Sequence, residues 1–202
     1  GAGHSVRVTF YGVRGSFPVA HPKVTRVGGN TSCVAIRAPG APTIVIDAGT
    51  GTRHLGQDLM REGFADGVGE GAFLFSHTHW DHIQGFPFFG PAYVAGTRIR
   101  IHGCHDVIEH AFRLQQAPPC FPVEFAQLAA DIEFVRLTPG KAYEISGVRV
   151  TPQPQMHSGD SFGYRFEVQG KTFVYTTDSE HKLENRAQTD RFVQFFRDAD
   201  LV

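Results

Sequence analysis

The chain has 202 residues, of which 41% are hydrophobic and 19% are charged, so it is long enough for a substantial core in one or at most two domains. Its formal net charge of −1 excludes a bulk basic field for nucleic acid or an anionic membrane, although a local patch can still serve an RNA substrate. The three cysteines are widely spaced and form no Cys-x-x-Cys pair, which predicts a reducing, cytoplasmic location without a disulfide framework.

The sequence contains no candidate membrane span or targeting segment. No apolar run approaches the roughly 18 residues of a membrane span, and we expect no signal peptide and no membrane partner. Residues 1–5 lack an initiator Met and are interpreted as a remnant of cloning, so His4 is left out of the functional argument.

The first third of the chain predicts three strands and a helix. Alternating or continuous apolar residues indicate the strands, and the continuous run at 43–46 is typical of a buried one. The predicted strands are 6–11, 32–37 and 43–46, and the helix is 52–60.

Two polar residues follow these strands. Arg14 lies in a glycine-punctuated loop, residues 12–18, which can bring backbone N–H groups or the guanidinium against an anion; the alternative is a tight turn with an exposed arginine. Asp47 directly follows the buried strand. It can orient a metal-ligating histidine, which is our preferred interpretation, or it can cap the following helix.

The densest group of polar ligands is His77-Thr78-His79-Trp80-Asp81-His82, directly after the apolar run 72–75. Imidazole and carboxylate bind zinc and similar ions at about 2.0–2.2 Å. On an extended segment His77 and His79 point the same way, whereas Asp81 is predicted to cap a short helix from residue 83 and to turn His82 elsewhere. We therefore expect two ligand pairs that face two adjacent metal positions. The alternative is a solvated polar turn with surface histidines.

The remainder of the chain predicts one more helix and several strands. The helix is expected over 106–116 with Asp106 as its cap, and the strands over 98–102, 132–137, 142–145, 148–151, 162–168 and 172–176. Ser146-Gly147 and Gln169-Gly170 are predicted two-residue hairpin turns. Three further histidines, His102, His105 and His110, lie outside any ligand spacing and are assigned surface or core roles.

Two further ligand candidates, His157 and Asp178, follow predicted strands in the second half. A single histidine or aspartate in a loop is more often structural. Because the cluster at 77–82 lacks ligands for two complete metal positions, both residues become candidates to supply them.

Together these motifs resemble the metallo-β-lactamase-fold superfamily. Within it, the segments 12–16, 28–32 and 175–181 are similar to the phosphodiesterase and ribonuclease Z-like branch. The resemblance implies an α/β (α+β) fold, an αββα sandwich, over residues 6–202. It also implies that His77, His79 and His157 bind one metal, that Asp81 and His82 bind a second, and that Asp178 bridges them, with Asp47 matching the family's strand-end aspartate. The family's last metal-binding histidine lies beyond a further strand, so the single domain is expected to lack its last strand and helices.

The implied function is a binuclear, metal-dependent hydrolase that activates water as hydroxide. The cations are expected to be two Zn²⁺, with Mn or Fe as alternatives. Water bound to such cations has a pKa near about 7 rather than about 15.7 and therefore supplies hydroxide at neutral pH. Asp81 is expected to hold and deprotonate the water, and Arg14 or His181 to assist as anion contact or proton donor, unless His181 is a surface residue.

The preferred substrate is a phosphodiester, either a small molecule, a nucleotide or RNA. The first alternative is a thioester or lactone hydrolase of the same fold, and the second is a non-catalytic metal-binding or regulatory module. A homo-oligomer is also compatible with the sequence.

Overall fold

A computed structural model describes residues 5–155, 157, 160–179 and 186–202. The chain divides into two compact units, residues 1–136 and 137–202. The prediction of one domain over 6–202 stays a prediction, and each unit is described by itself.

The first unit is built on one mixed sheet whose strands lie in sequence order. The strands are β1 (Arg7–Gly12), β2 (Cys33–Arg37), β3 (Thr43–Ile46), β4 (Glu70–Phe75), β5 (Arg98–Gly103) and β6 (Asp131–Arg136). The pairs from β1 to β3 are antiparallel, and those from β3 to β6 are parallel. The parallel pairs need long crossovers, which contain the helices α1 (Thr52–Arg61), α2 (Trp80–Ile83) and α3 (Ile108–Gln115).

One face of this sheet carries a core that is rich in phenylalanine. Strand β4 alternates, so Phe73 and Phe75 lie on the same face with nearly parallel rings. Phe86 meets Phe73 edge to face at 5.5 Å, and Phe112 of α3 meets Phe75 in the same way at 4.9 Å. Such contacts add to the burial of apolar area and fix the segment that follows α2 against the sheet.

The second unit holds an antiparallel sheet and one helix. Its strands, in the order β10-β9-β8-β7, are β7 (Tyr143–Ile145), β8 (Val148–Gln155), β9 (Ser161–Val168) and β10 (Lys171–Tyr175). The helix α4 spans Arg186–Phe196, and beyond it Leu201 forms a single parallel bridge with Phe173.

Both predicted hairpin turns are confirmed. All four of their central residues have positive φ, from 50° at Gln169 to 74° at Gly147, as a type I′ turn requires. Strand β8 is longer than predicted because Pro152 and Pro154 lie beyond its pairing with β7, where a missing N–H breaks no ladder bond.

Two predicted helix starts were wrong. Helix α2 begins at Trp80 rather than at residue 83, and Asp81 lies in its first turn instead of capping it. Helix α3 begins at Ile108, and the Asp106 carboxylate pairs with Arg136 on the end of β6 rather than with the helix. In both cases the carboxylate binds a residue that is distant in the chain. Helix α4 was not predicted.

The order of strands and helices is the mixed α/β architecture expected from the sequence. Among the described residues, no helix combines the length and the apolar character needed to cross a membrane.

Candidate metal centre

The candidate centre begins where two neighbouring parallel strands end. Ile46 of β3 pairs with Leu74 of β4, so the residues that follow them, Asp47 and Ser76, emerge at the same edge of the sheet. The Asp47 carboxylate accepts hydrogen bonds from the Ser76 N–H at 2.8 Å and from the Ser76 hydroxyl at 2.7 Å. Asp47 adopts φ 59°, a conformation that Asp and Asn tolerate better than other side chains.

Asp47 also contacts His82. Nδ1 of His82 lies 2.8 Å from Oδ2 of Asp47, and both side chains are buried. Because a carboxylate only accepts, His82 donates from Nδ1 and directs the lone pair of Nε2 away from Asp47. Asp47 does not cap α1, whose N-cap is Gly51 and has no side-chain hydrogen bond.

Hydrogen bonds between backbones hold α2 against the end of β3. Ala48 N–H donates to the His82 carbonyl at 2.7 Å, and Gly85 N–H donates to the Ala48 carbonyl at 2.8 Å. A Cβ atom on Gly85 would lie 1.9 Å from the Gly49 carbonyl oxygen, so only glycine permits this approach. The position of His82 therefore depends on a glycine three residues away.

His77 and His79 converge at one point. Nε2 of His77 lies 3.0 Å from Nδ1 of His79, and the two rings meet edge to face. Nδ1 of His77 lies 3.0 Å from the Ser76 hydroxyl, which already donates its proton to Asp47 and can only accept here. His77 thus donates from Nδ1, and the lone pair of Nε2 is directed at His79. A cation is a natural occupant between two such imidazole nitrogens.

Asp81 lies beside His82. Its Oδ2 lies 3.4 Å from Nε2 of His82 and accepts a hydrogen bond from the Ser16 N–H at 2.9 Å. The glycine-punctuated loop therefore presents a backbone N–H to an anion, and that anion is Asp81. Arg14 of the same loop donates Nε–H to the Phe17 carbonyl at 3.0 Å and lies over the Phe17 ring.

The four candidate ligands in the first unit are close enough to share cations; they are His77, His79, Asp81 and His82. A ligand atom of His77 lies within 4.8 Å of one on His79 and of one on His82. His77 and His82 are buried, which does not match a solvated turn with surface histidines. Donor type, proximity and fixed tautomers all fit divalent cations of the zinc type.

The charge of Asp47 is stabilised despite its burial. Burial acts to raise the pKa of this carboxyl, but the electrostatic attraction and hydrogen bond of the His82 ring and the two hydrogen bonds from Ser76 outweigh it and hold the pKa below its ordinary value. Asp47 is therefore a carboxylate that can fix the ring of His82.

The two remaining ligand candidates belong to the second unit. β8 and β10 both run antiparallel to β9, so His157 and Asp178 follow strands that end at the same edge of that sheet. The side chain of Gln155, the last residue of β8, links these two strand ends: it donates to the Thr176 hydroxyl and accepts from the Thr177 N–H at 3.5 Å. His181, the expected proton donor, lies outside the described residues.

The sequence did not reveal the roles of three contributors. Ser76 has no motif of its own, and the only signal is its position between the buried strand and the first histidine. Ser16 acts through its backbone N–H, which its side chain does not reveal. Gly85 was noted only as a residue of the expected helix.

Comparison with known proteins gives a family and a fold. The family model described as "Beta-lactamase superfamily domain" matches residues 43–202. Ribonuclease BN of Escherichia coli O1:K1 is 26% identical over 137 residues, which are 63% of this chain and 39% of that protein. The chain thus spans about two fifths of the length of the curated relatives it matches.

Solved structures agree on the fold. The metallo-beta-lactamase fold protein YhfI of Bacillus subtilis has a TM-score of 0.69 at 22% identity, over 97% of this chain and 69% of that one. The short form of human tRNase Z has a TM-score of 0.65 at 19% identity, over 96% of this chain and 76% of that one. Yeast PDE1 has a TM-score of 0.62 at 15% identity, over 95% and 70%. The predicted fold class is confirmed by these matches.

Proposed function

The chain belongs to the beta-lactamase superfamily, and on that premise we propose that it is a metal-dependent hydrolase of phosphodiesters. One observation carries the proposal: His77 and His79 bring two imidazole nitrogens within 3.0 Å, beside a His82 whose tautomer is fixed by Asp47. A purely structural cluster has no need for three imidazoles arranged in this way.

We assign the ligands to two cations. His77, His79 and His157 would hold the first, and Asp81, His82 and Asp178 the second. The assignment of His157 and Asp178 rests on the resemblance of their motifs to the family and on their common position at one edge of their own sheet. Zinc is the preferred metal because imidazole and carboxylate are its usual ligands, with Mn and Fe as alternatives.

When bound, the cations would lower the pKa of water and neutralise charge that develops on a phosphoryl oxygen. Asp81 is the residue that we expect to accept the proton. Its Oδ2 is already oriented by the Ser16 N–H, and its side chain is partly accessible, so a water molecule can approach it. Asp47 keeps the neighbouring imidazole of His82 in one tautomer while the proton moves.

The phosphodiester is supported by three considerations. The relative that matches at 26% identity is by name a ribonuclease. The sequence motifs at 12–16, 28–32 and 175–181 resemble the phosphodiesterase and ribonuclease Z-like branch. An anionic diester also suits a pair of cations. The guanidinium of Arg14, held at Nε by the Phe17 carbonyl, is proposed to contact the substrate anion, and His181 to donate a proton to the leaving group.

We also propose a cytoplasmic location. All three cysteines are free thiols, which suits a reducing cytoplasm. The homo-oligomer stays a prediction.

The experiment measures metal content and hydrolysis together. The chain is stripped with a chelator, reloaded with Zn²⁺ or Mn²⁺, and assayed on bis(p-nitrophenyl) phosphate and on a thioester. We expect turnover of the diester only after reloading, and loss of both cation and turnover in His82→Ala. His110→Ala, an exposed histidine on α3, is the matched control.

Other outcomes would overturn the proposal in different ways. Turnover of the thioester alone would favour the alternative hydrolase. Cation binding with no turnover of either substrate, in this chain and in any longer natural form, would favour a binding module. Full activity in the stripped chain would contradict a metal-dependent reaction.

A further inference from the structure

A groove of about 600 Å³ opens in the first unit beside the candidate metal centre. It includes Trp80, which lies between His79 and Asp81 in the chain and is 69% exposed. Phe88 also lines the groove, is 59% exposed and meets Phe121, another lining residue, edge to face at 5.7 Å. Trp80 and Phe88 are exposed and Phe121 is partly exposed, and three such aromatic side chains around one concavity indicate a surface that receives a ligand.

The groove is also lined by polar residues, and hydrogen bonds orient several of them. The Thr31 N–H donates to the Thr50 hydroxyl at 2.9 Å, and that hydroxyl donates to Oδ1 of Asn30 at 3.1 Å. The amide group of Asn30 is thereby oriented, with Nδ2 lying 3.3 Å from Nδ1 of His54. Because an amide nitrogen only donates, Nδ1 of His54 accepts, and the neutral ring carries its proton on Nε2.

This chain of bonds makes His54 a hydrogen-bond donor of fixed tautomer in the wall of the groove. Arg53, also in the wall, forms no salt bridge with any residue that the structure describes. The groove thus combines aromatic faces with two donors, and none of the described residues that line it is acidic.

We propose that this groove binds a nucleobase of the substrate, stacked on Trp80 and Phe88 and contacted at its edge by His54 and Arg53. The inference rests on the proposed function, because it places the base beside the centre at which the phosphodiester would react. A planar heteroaromatic ring fits these walls better than an aliphatic chain, which would leave both donors without acceptors. Stacking tolerates any base, so we expect little base specificity from the aromatic side.

The test uses the fluorescence of Trp80, which is the single tryptophan of the chain. Adenosine 5′-monophosphate is titrated into the metal-free chain, with ribose 5-phosphate as a matched ligand that lacks only the base. We expect saturable quenching by the nucleotide and none by the sugar phosphate. Phe88→Ala should weaken nucleotide binding about 5- to 100-fold, the range that loss of one stacking partner produces.

Phe10→Ala is the control variant, since Phe10 is 54% exposed but does not line the groove. It should leave the affinity unchanged. Equal quenching by nucleotide and sugar phosphate, or equal weakening by Phe10→Ala and Phe88→Ala, would overturn the inference.

Cys120 supplies a second readout because it also lines the groove. Burial raises the pKa of the Cys33 and Cys104 thiols to about 12, whereas Cys120 is exposed, so a thiol reagent should modify Cys120 first. The nucleotide should slow this modification, and Cys120→Ser should abolish it. Protection by an apolar peptide but not by the nucleotide would instead indicate a docking surface for a protein, and would overturn the nucleobase assignment.

The two proposals can fail separately. Metal-dependent hydrolysis of bis(p-nitrophenyl) phosphate without nucleotide quenching would overturn the nucleobase groove and leave the proposed function intact. Nucleotide quenching without metal-dependent hydrolysis would overturn the proposed function and leave the groove as a nucleotide-binding site.

Discussion

His82 donates a hydrogen bond to Asp47 over 2.8 Å, although the two residues are 35 positions apart and both are buried. The contact exists because β3 and β4 run parallel and end at the same edge of the sheet, and because Ala48 and His82 are joined through their backbones. A residue that touches no cation itself can therefore decide which nitrogen of His82 is available to one.

The first prediction is that Asp47→Asn weakens cation binding about 10- to 100-fold, the usual effect of losing the partner that orients a ligand. Asn keeps the size of the side chain and tolerates the positive φ at this position. Its amide nitrogen would face Nδ1 of His82, force that atom to accept, and move the ring proton to Nε2. Zinc affinity is measured by competition with a chromophoric chelator.

Asp66→Asn, an exposed change of the same chemistry, should leave zinc affinity as it is. An Asp47→Asn chain with unaltered affinity would contradict the orienting role of Asp47.

Only part of the contact between Asp47 and His82 could be predicted from the sequence. The apolar runs at 43–46 and 72–75 predict two buried strands, and the polar residues that follow them predict a shared edge. The spacing of His77 and His79 predicts their common direction. These inferences depend on local periodicity, which the sequence displays directly.

Contacts between residues that are distant in the chain could not be predicted in this way. Asp81 and Asp106 were both expected to cap helices, since Asp is a preferred cap, but Ser16 and Arg136 hold their carboxylates instead. Neither partner is near its aspartate in the chain, so no local pattern reveals the competition. The role of Ser76 is hidden for the same reason, because it depends on Asp47 and on two imidazoles at once.

The second prediction concerns Gly85, whose missing side chain admits the Gly49 carbonyl. Gly85→Ala should destabilise the fold by about 1–3 kcal/mol, the usual cost of overpacking, and should also weaken zinc binding because α2 must shift with His82. Gly71→Ala is the control, since a Cβ there would have only an ordinary contact at 3.9 Å. Urea unfolding and zinc competition are measured on both variants. Loss of stability with unchanged zinc affinity would contradict the coupling of Gly85 to His82.

The third prediction tests the aromatic core. Phe112 on α3 is fully buried and meets Phe75 and Phe86 edge to face at 4.9 and 5.1 Å. Phe112→Ala should therefore lower the free energy of unfolding by about 3–5 kcal/mol. Leu114→Ala on the same helix, at a residue that is 65% exposed, should change it by less than about 0.5 kcal/mol. Similar losses in the two variants would show that helix propensity rather than the core sets the stability.

The fourth prediction is a pH dependence that arises at His102. Burial lowers the pKa of this imidazole, and the hydrogen bond from Nδ1 to the Phe73 carbonyl only partly opposes it. The folded chain thus favours the neutral ring, whereas the unfolded chain takes up a proton near about pH 6.5. This contribution to stability is complete above that pH and is lost as the pH falls below it.

His102→Asn keeps a donor for the Phe73 carbonyl and removes the titration. In the metal-free chain, we expect the free energy of unfolding to fall less in this variant than in the parent between about pH 7.5 and 5.5. His110→Asn, at an exposed histidine, should follow the parent. Parallel curves for all three chains would exclude His102 as a source of the dependence.

The last prediction concerns the ligands that we assign to the second unit. His157 and Asp178 follow β8 and β10, whose ends Gln155 holds together. If His157 is a direct ligand, His157→Ala should reduce the zinc affinity of one site by more than about 100-fold, beyond the loss for a residue that only orients a ligand. Asp178→Asn should do the same at the other site, and Asn suits the positive φ of 29° at that position.

Zinc per chain is measured by atomic absorption after dialysis, with Asp190→Asn on α4 as the exposed control. We expect two zinc ions in the parent and control and one in each variant, whereas two ions in every chain would remove both residues from the ligand set.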